Sequence, residues 1–370
     1  MSKRRIFSIL LITVCLVIAV IAVFLASGYS LNFKKKQIVK TGMIYATSIP
    51  DGASIFLNGD LASATNTTIS NLEPGTYQIK ITKNGYSTWQ KDIVVRAELV
   101  SQIEALLLPS APELKVATYD GVTKFTLSPD NIKAALAITD EAKAGVWILA
   151  FNNLPFGTGY TIKQIIKDTP EEKFSQGETV WSTDGQNVLI TLLPSNSNFL
   201  LDPSHLNENP TPTKDGKETI VAGWQQEKDD LENQRKKQLT ESELKIYSEG
   251  QENQWSPNSL KFLFKKDGIY FSYSLEDERL TEVKNLELAS LQSIGWYPDS
   301  KHLITIEDYV EGKNGKMSVM EEDGENKTNA YEGKMDSANI LVSPDGKKIF
   351  LLTSFNLSSN ISSLYYLNLR

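Results

Sequence analysis

The sequence predicts an all-β protein with an N-terminal transmembrane helix, a small β-sandwich and a five-bladed β-propeller carrying a short helical insertion. Three features of the 370 residues predict this organisation: an uncharged run at 6–26, closely spaced turn signals at 41–108, and a phrase repeated five times after residue 113. One hairpin turn is common to many folds. Five copies at the spacing of one four-stranded unit are typical of a propeller.

The uncharged run at 6–26 has the length of a membrane span, because a helix of this size rises about 31 Å. Lys3, Arg4 and Arg5 precede it. We expect a single-pass anchor with a cytoplasmic N-terminus, a basic stalk at 33–40, and the remainder exported to the periplasm or cell surface. The alternative is a cleaved signal peptide, for which this run is long.

Charge is distributed unevenly along the chain. Residues 1–40 contain 7 Lys and Arg and no Asp or Glu, so residues 41–370 have a net charge of −14. A body this acidic repels phosphate, and nucleic acid is therefore an unfavourable partner. The one cysteine, Cys15, lies in the apolar run, so no disulfide framework or thiolate metal site is expected.

Residues 41–108 alternate short strand-like runs with turns. Tyr77, Ile79 and Ile81 alternate with polar residues, the pattern of a strand with one buried face. Five or six antiparallel strands in this length suit a small sandwich. The segment resembles the PEGA domain, through the following residues: Ser48-Ile49-Pro50-Asp51-Gly52-Ala53, Ile55, Leu57, Asn58, Gly59, Leu72-Glu73-Pro74-Gly75, Tyr77, and Gly85-Tyr86. The resemblance implies an accessory module for surface placement and binding.

A stiff linker is predicted at 109–112, where two prolines occur within four residues, and the repeats follow at 113–370. The five copies of the phrase begin at the following residues: Leu127-Ser128-Pro129-Asp130, Trp181-Ser182-Thr183-Asp184, Trp255-Ser256-Pro257-Asn258, Trp296-Tyr297-Pro298-Asp299 and Val342-Ser343-Pro344-Asp345. The Ser-Pro-Asp-Gly phrase resembles the propeller repeats of TolB-like periplasmic proteins.

The length of this region favours five blades. Residues 113–370 without the irregular stretch 203–252 number 208, or about 42 per copy, which matches a four-stranded blade. A sixth, degenerate blade inside 203–252 is the alternative. The last copy lacks an outer strand, and residues 114–118 are predicted to fill that place and close the ring.

The stretch 203–252 reads as a polar, Pro-interrupted mobile loop at 205–217 followed by two short helices. The first is predicted at 225–238, and a capping box at Thr240–Glu243 starts the second. Two interpretations stay open for this insertion: a solvent-exposed surface element without a functional role, or a lid or docking element at the mouth of the ring.

No residue pattern predicts catalysis, a cofactor or a metal. The two histidines, His205 and His302, lie in the loop and in a strand, and no Gly-x-Ser-x-Gly elbow or phosphate loop occurs. The turn carboxylates Asp130, Asp184, Asp299 and Asp345 are interpreted as turn caps, because each belongs to a different blade. The aromatic side chains Trp181, Trp255 and Trp296 are interpreted as inter-blade core, with a sugar-binding platform as the alternative.

These observations together predict a non-enzymatic, membrane-anchored binding or scaffolding protein of the cell envelope. The sandwich would act as a spacer or polymer contact, and the propeller as a surface that recognises a protein or an envelope polysaccharide. Two alternatives stay open. One is a propeller hydrolase or lyase that uses carboxylates in the channel, and the other is the extracytoplasmic subunit of a sensor.

Overall fold

The computed structural model describes residues 3–26, 29–32, 37–118, 121–152, 159–354 and 361–369. Contacts within the chain divide it into two compact units, residues 1–111 and residues 112–370. The division falls inside the stretch 109–112, where Pro109 and Pro112 favour extended backbone. Each unit has its own β-sheets and its own buried core.

The first unit begins with helix α1, Lys3–Ala26, and a hairpin of strands β1, Tyr29–Asn32, and β2, Gln37–Lys40. Apolar side chains of α1, among them Leu10, Leu16 and Val20, are exposed. Where the chain is described, no helix combines the length and apolar character that crossing a membrane requires. The structure thus gives no support to the predicted span at 6–26. In the predicted stalk, 37–40 form a strand, and residues 33–36 lie outside the described part, so the stalk stays a prediction.

Seven strands build the sandwich of the first unit, in two sheets of order β6-β3-β9 and β5-β4-β7-β8. The strands are the following: β3 Gly42–Ile49, β4 Ser54–Leu57, β5 Asp60–Ala64, β6 Thr67–Leu72, β7 Gly75–Thr82, β8 Trp89–Val95 and β9 Val100–Leu106. Ile79 and Ile81 are fully buried, as the alternation in β7 predicts. The expectation of purely antiparallel strands is wrong, because β9 returns parallel to β3, from Met43↔Val100 to Ile49↔Leu106.

Five sheets make up the second unit. Its strands are the following: β10 Glu113–Val116; β11 Val122–Leu127, β12 Lys133–Ile138, β13 Gly145–Phe151 and β14 Tyr160–Lys167 of blade 1; β15 Glu178–Trp181, β16 Val188–Leu192 and β17 Ser197–Leu201 of blade 2; β18 Gln251–Trp255, β19 Lys261–Lys266, β20 Ile269–Ser274 and β21 Arg279–Glu282 of blade 3; β22 Leu291–Trp296, β23 His302–Glu307, β24 Gly315–Glu321 and β25 Thr328–Gly333 of blade 4; and β26 Ile340–Val342, β27 Lys348–Thr353 and β28 Ser363–Asn368 of blade 5. A short 3₁₀ turn at Phe174–Gln176 precedes blade 2.

The ring closes through its own first strand. β10 pairs antiparallel with β28, from Glu113↔Asn368 to Val116↔Tyr365, and so completes the four strands of blade 5. Ala117 and Thr118 both donate backbone hydrogen bonds to Leu364 O, at 2.8 and 3.2 Å. The predicted closure is confirmed, with the strand one residue earlier than expected.

Blade 2 departs from the predicted four strands. Beyond β17, residues 207–213 run along the open edge, where Thr213 N donates to Asn198 O at 2.7 Å and Asn207 Nδ2 donates to Asp202 O at 3.0 Å. Pro210 and Pro212 lie between these contacts and have no N–H to give. The segment predicted as a mobile loop at 205–217 therefore contacts this edge without forming a ladder.

Two helices follow this segment: α2, Lys217–Lys236, and α3, Glu241–Glu249. The capping box predicted for the second helix is present, because Thr240 Oγ1 accepts from Glu243 N and the Glu243 carboxylate accepts from Thr240 N. The first helix starts eight residues earlier than predicted, at Lys217, whose ammonium pairs with Glu178 at 2.7 Å. Since 203–250 has no strand in this structure, a sixth blade is excluded there.

Candidate functional site

The repeated turns share one hydrogen-bonding pattern. In four of them the Ser hydroxyl donates to the acidic or amide side chain two residues on, at 2.5 Å for Ser128–Asp130, 2.6 Å for Ser182–Asp184, 2.7 Å for Ser256–Asn258 and 2.6 Å for Ser343–Asp345. The same oxygen then accepts a backbone N–H, as in Gln186 N to Asp184 at 2.9 Å. These side chains cap turns, as interpreted from the sequence.

Neighbouring turns are also joined across blade boundaries. Lys133 of blade 1 donates to Gly185 O at 2.9 Å, Asn258 N of blade 3 donates to Ser300 Oγ at 3.1 Å, and Tyr297 of blade 4 donates to Gly346 O at 2.5 Å. Each turn occupies its own sector of the ring. The turn carboxylates therefore do not converge on a single reacting centre.

His302 takes part in the fourth turn. Its Nδ1 lies 2.7 Å from Asp299 Oδ2, and the imidazole is buried. Partial burial opposes ionisation of Asp299, but its hydrogen bonds with His302 and the backbone N–H groups of Lys301 and His302 outweigh burial and lower its pKa. His205, in contrast, is 63% exposed and 3.5 Å from Asp202, so the two histidines are not brought together.

The three tryptophans are placed at blade boundaries, but in two different ways. Trp181 is buried and its indole N–H donates to Thr126 O of blade 1 at 3.1 Å. Trp296 is half-buried and donates to Gln254 O of blade 3 at 3.1 Å. The indole nitrogen of Trp255 is buried among the described residues without a hydrogen-bond partner. The first two positions fit the predicted role in packing between blades.

An open groove of about 460 Å³ crosses blades 1, 4 and 5 at the ends of their strands. It is lined by Gly121, Val122, Thr123, Thr139, Glu311, Gly312, Asp336, Leu352, Ile361 and Ser362. Val122 and Leu352 are buried in its apolar floor, whereas Thr123, Thr139 and Glu311 are exposed along its walls. Hydroxyl and carboxylate oxygens thus surround a small apolar surface.

Backbone contacts between blades fix the walls of this groove. Gly121 N donates to Ser362 O at 3.0 Å, which ties blade 1 to blade 5, and Gly312 N donates to Met335 O at 2.9 Å. Gly121 has φ +94°, and an added Cβ would lie 3.1 Å from Asp140 N, so glycine is required there. The groove is therefore preformed rather than dependent on mobile side chains.

Asp336 is held in place inside the groove. Ser362 Oγ donates to one of its oxygens at 2.7 Å, Ser354 Oγ to the other at 3.3 Å, and its own N–H donates to Leu352 O at 2.9 Å. Burial raises the pKa of Tyr309, and the nearby carboxylates of Glu311 and Asp336 raise it further. The potential in this region is therefore negative.

The groove offers acceptors, and its described residues include no activated nucleophile. That part of the lining contains no His, Cys, Lys or Arg, and Tyr309 and Tyr331 next to it both have raised pKa values, chiefly because they are buried. Within the described ranges, no three His, Cys, Asp or Glu side chains are arranged to hold a metal ion. What the arrangement can do is accept hydrogen bonds from a ligand that carries N–H or O–H donors.

Sequence reasoning did not find the groove. Thr123 lies in β11, whereas Glu311 and Asp336 lie in loops, and all three are far apart in the chain and outside the repeated phrase. No spacing rule predicts that segments of three blades meet at one point before the ring is closed.

The fold and groove define the class of protein: a propeller-bearing protein with a small N-terminal β-sandwich and an acceptor-lined groove. Residues 41–110 match the family model of the PEGA domain, so the resemblance read from the sequence is confirmed for this segment. A comparison with curated proteins gave no match.

Solved propeller structures are similar to the chain at low identity. They include TolB from Acinetobacter baumannii (13% identity, 79% of this chain and 59% of that one, TM-score 0.25) and the propeller domain of the Trilobed protease from Pyrococcus furiosus (14%, 68% and 70%, TM-score 0.22). Acylaminoacyl peptidase from Pyrococcus horikoshii is another (10%, 64% and 28%, TM-score 0.24). The chain spans about 59% of the length of that TolB, and the blade assignment rests on the strand pairing above.

Proposed function

We propose that this chain is a non-enzymatic binding protein of the cell envelope whose propeller recognises its partner in the groove over blades 1, 4 and 5. One observation carries the proposal: the groove is open, its walls are tied by backbone hydrogen bonds, and it is lined by oxygen acceptors of which Asp336 is held in place. Catalysis by side chains needs a nucleophile and a base at hydrogen-bonding distance, whereas recognition needs only complementary shape and charge. The PEGA-like sandwich is proposed as a spacer or second contact.

The chemistry of the lining favours a partner with a basic segment. Glu311 and Asp336 supply two carboxylates, and Thr123, Thr139 and Ser362 supply hydroxyl oxygens. Ammonium and guanidinium groups donate several hydrogen bonds to such acceptors and are attracted to the acidic body of the chain. A polysaccharide would use the same acceptors through its hydroxyls, but it would gain nothing from the charge.

The enzymatic alternative makes a different demand on the same groove. A glycoside hydrolase would need one carboxylic acid and one carboxylate on either side of the scissile bond. The acid of such a pair typically lies in an apolar pocket, whereas Glu311 is exposed in an open groove. Release of reducing ends from an oligosaccharide by the full chain would favour the alternative over the proposal.

The groove proposal is tested by peptide binding to the full chain. A Lys-rich dodecapeptide is expected to bind more tightly than its Glu-substituted counterpart and than a neutral oligosaccharide. Glu311→Gln combined with Asp336→Asn should weaken that binding about 5- to 30-fold, as expected for two charge-assisted contacts. Isothermal titration calorimetry at two salt concentrations provides the measurement, since added salt should weaken the wild-type interaction.

Glu276→Gln is the matched control for the peptide experiment. Glu276 is an exposed carboxylate of blade 3 that lies outside the groove lining. Its substitution removes one negative charge, as each of the two groove substitutions does. Equal weakening in this variant would show that the peptide only senses overall charge. Tight oligosaccharide binding that both groove substitutions abolish would replace the basic partner with a glycan.

Association with a membrane through α1 is the second part of the proposal. The helix exposes Phe7, Leu10, Leu11 and Leu16 at 56–67%, and burying apolar side chains of this kind in lipid is favourable. The full chain is expected to float with phospholipid vesicles in a density gradient. A variant with Leu11, Leu16 and Val20 changed to Ser should remain at the bottom. Recovery of the wild-type chain free of vesicles would contradict the proposed anchor and leave the groove experiment unaffected.

A further inference from the structure

The boundary between blades 2 and 3 differs from two other blade boundaries in one hydrogen bond. At boundaries 1–2 and 3–4, a Trp indole N–H donates to the backbone oxygen of the preceding inner strand, as Trp181 does to Thr126 O and Trp296 does to Gln254 O. Both acceptors lie two residues before the turn residue Ser128 or Ser256. The equivalent acceptor for Trp255 is Val180 O, yet its indole nitrogen is buried and has no partner.

The helices α2 and α3 with their connection, residues 217–249, form a helical hairpin that bridges these two blades. On blade 2, Lys217 pairs with Glu178 at 2.7 Å, and Thr183 Oγ1 donates to Trp224 O at 2.6 Å. On blade 3, the ring of Tyr247 stacks on Trp255 with centroids 5.4 Å apart. The hairpin thus contacts both blades at this boundary.

The stacking geometry explains why the indole N–H of Trp255 stays unsatisfied. The two rings are inclined by 25°, and an indole N–H lies in the plane of its ring. Burial and the hydrogen bond to Glu232 raise the pKa of Tyr247, and the nearby Trp255 indole partly opposes this rise, but the contact does not meet the geometry of a hydrogen bond. Asn253 Oδ1, beside the same contact, is also buried without a partner. A buried donor and a buried acceptor left unpaired make this arrangement less stable than a fully satisfied boundary.

The helical hairpin buries few of its residues. None of the 20 residues of α2 is buried, and α3 buries only Glu243 and Tyr247. The hydroxyl of Tyr247 donates to the carboxylate of Glu232, which links the two helices. On blade 3, α3 is held by the aromatic stack on Trp255, by an edge contact of Tyr247 with Phe262 and by the ion pair of Glu249 with Lys266 at 2.7 Å.

We propose that the helical hairpin is a displaceable plug at the boundary between blades 2 and 3. In the plugged state Tyr247 covers Trp255. In the released state blade 3 closes onto blade 2 and Trp255 donates to Val180 O, as its two counterparts do to their own acceptors. Release also exposes the apolar side chains of Leu239, Ile246 and Tyr247, which pack on blade 3 in the plugged state.

Hydrogen exchange of the full chain measures this release. A nine-residue helix is not stable by itself in water, so the amides of α3 exchange when the plug leaves. Tyr247→Phe keeps the stacked ring and removes the link to Glu232. It should speed exchange of the peptide 241–249 about tenfold, the size expected for a lost hydrogen bond to a charged group. Tyr77→Phe is the matched control, because it removes a tyrosine hydroxyl bonded to Glu73 O in the sandwich.

Trp255→Phe separates the plug from ordinary packing. The substitution removes the N–H that gains an acceptor only on release, so exchange of 241–249 should become about threefold slower. A residue that only packs would give faster exchange, because the ring becomes smaller. Faster exchange in Trp255→Phe, or equal exchange in Tyr247→Phe and Tyr77→Phe, would overturn the proposal.

Discussion

Replacing residues 113–118 with six alternating Gly and Ser residues lowers the melting temperature of the propeller by about 10 °C. The substitution keeps the chain length and the backbone N–H groups, but flexible Gly and Ser residues without the β10 side chains disfavour the ladder between β10 and β28 and the two bonds to Leu364 O. Each hydrogen bond contributes about 1 kcal/mol net, and the buried Leu364 and Leu367 lose part of their apolar cover. The free energy of unfolding should therefore fall by roughly 3–5 kcal/mol. For a unit of this size each kcal/mol corresponds to about 2–4 °C.

Two proline variants provide the control for this closure experiment. Because Ala117 N donates to Leu364 O, the alternation of an antiparallel pair directs the N–H of Lys115 toward β28 and that of Val116 away from it. Lys115→Pro should therefore lower the melting temperature by several degrees more than Val116→Pro. Calorimetry of the full chain gives both values. An unchanged midpoint after the six-residue replacement would mean that β10 does not close the ring.

The propeller was predictable from the sequence because its signal is local and repeated. A turn such as Ser343-Pro344-Asp345-Gly346 is specified by its own residues: the Ser hydroxyl bonds the Asp carboxylate at 2.6 Å, and Gly346 has φ +64°. Five such turns fix the hairpins that make the inner strands. The open edge left after β28 then requires a strand from elsewhere, which β10 supplies.

The features that the sequence did not reveal depend on contacts between distant segments. The parallel pairing of β9 with β3 depends on how the chain crosses from one sheet of the sandwich to the other. No residue of β9 indicates the direction of that crossing. Blade 2 has three strands because Pro210 and Pro212 prevent the following segment from pairing as a fourth strand. Prolines in a polar stretch also suit a loop, so the sequence did not distinguish the two. The groove and the helical hairpin both require the closed ring before their residues meet.

Trp181→Ala is expected to destabilise the propeller by about 3–5 kcal/mol, or roughly 10 °C in melting temperature. Trp181 is only 6% exposed, packs in the core shared by blades 1 and 2, and donates to Thr126 O. Loss of the ring leaves a cavity at that boundary and removes the indole hydrogen bond to Thr126 O. Calorimetric unfolding of the full chain measures the change.

Two further variants separate the packing of Trp181 from its hydrogen bond and from sugar binding. Trp181→Phe keeps most of the ring and loses only the N–H, so its cost should be about 1 kcal/mol. Trp255→Ala should cost less than Trp181→Ala, because the side chain of Trp255 packs on the weakly held helical hairpin and its N–H has no partner to lose. A Trp181→Ala protein with an unchanged melting temperature but abolished oligosaccharide binding would show instead that these rings are a sugar platform. The burial of Trp181 argues against that outcome, since a platform must present its face to the ligand.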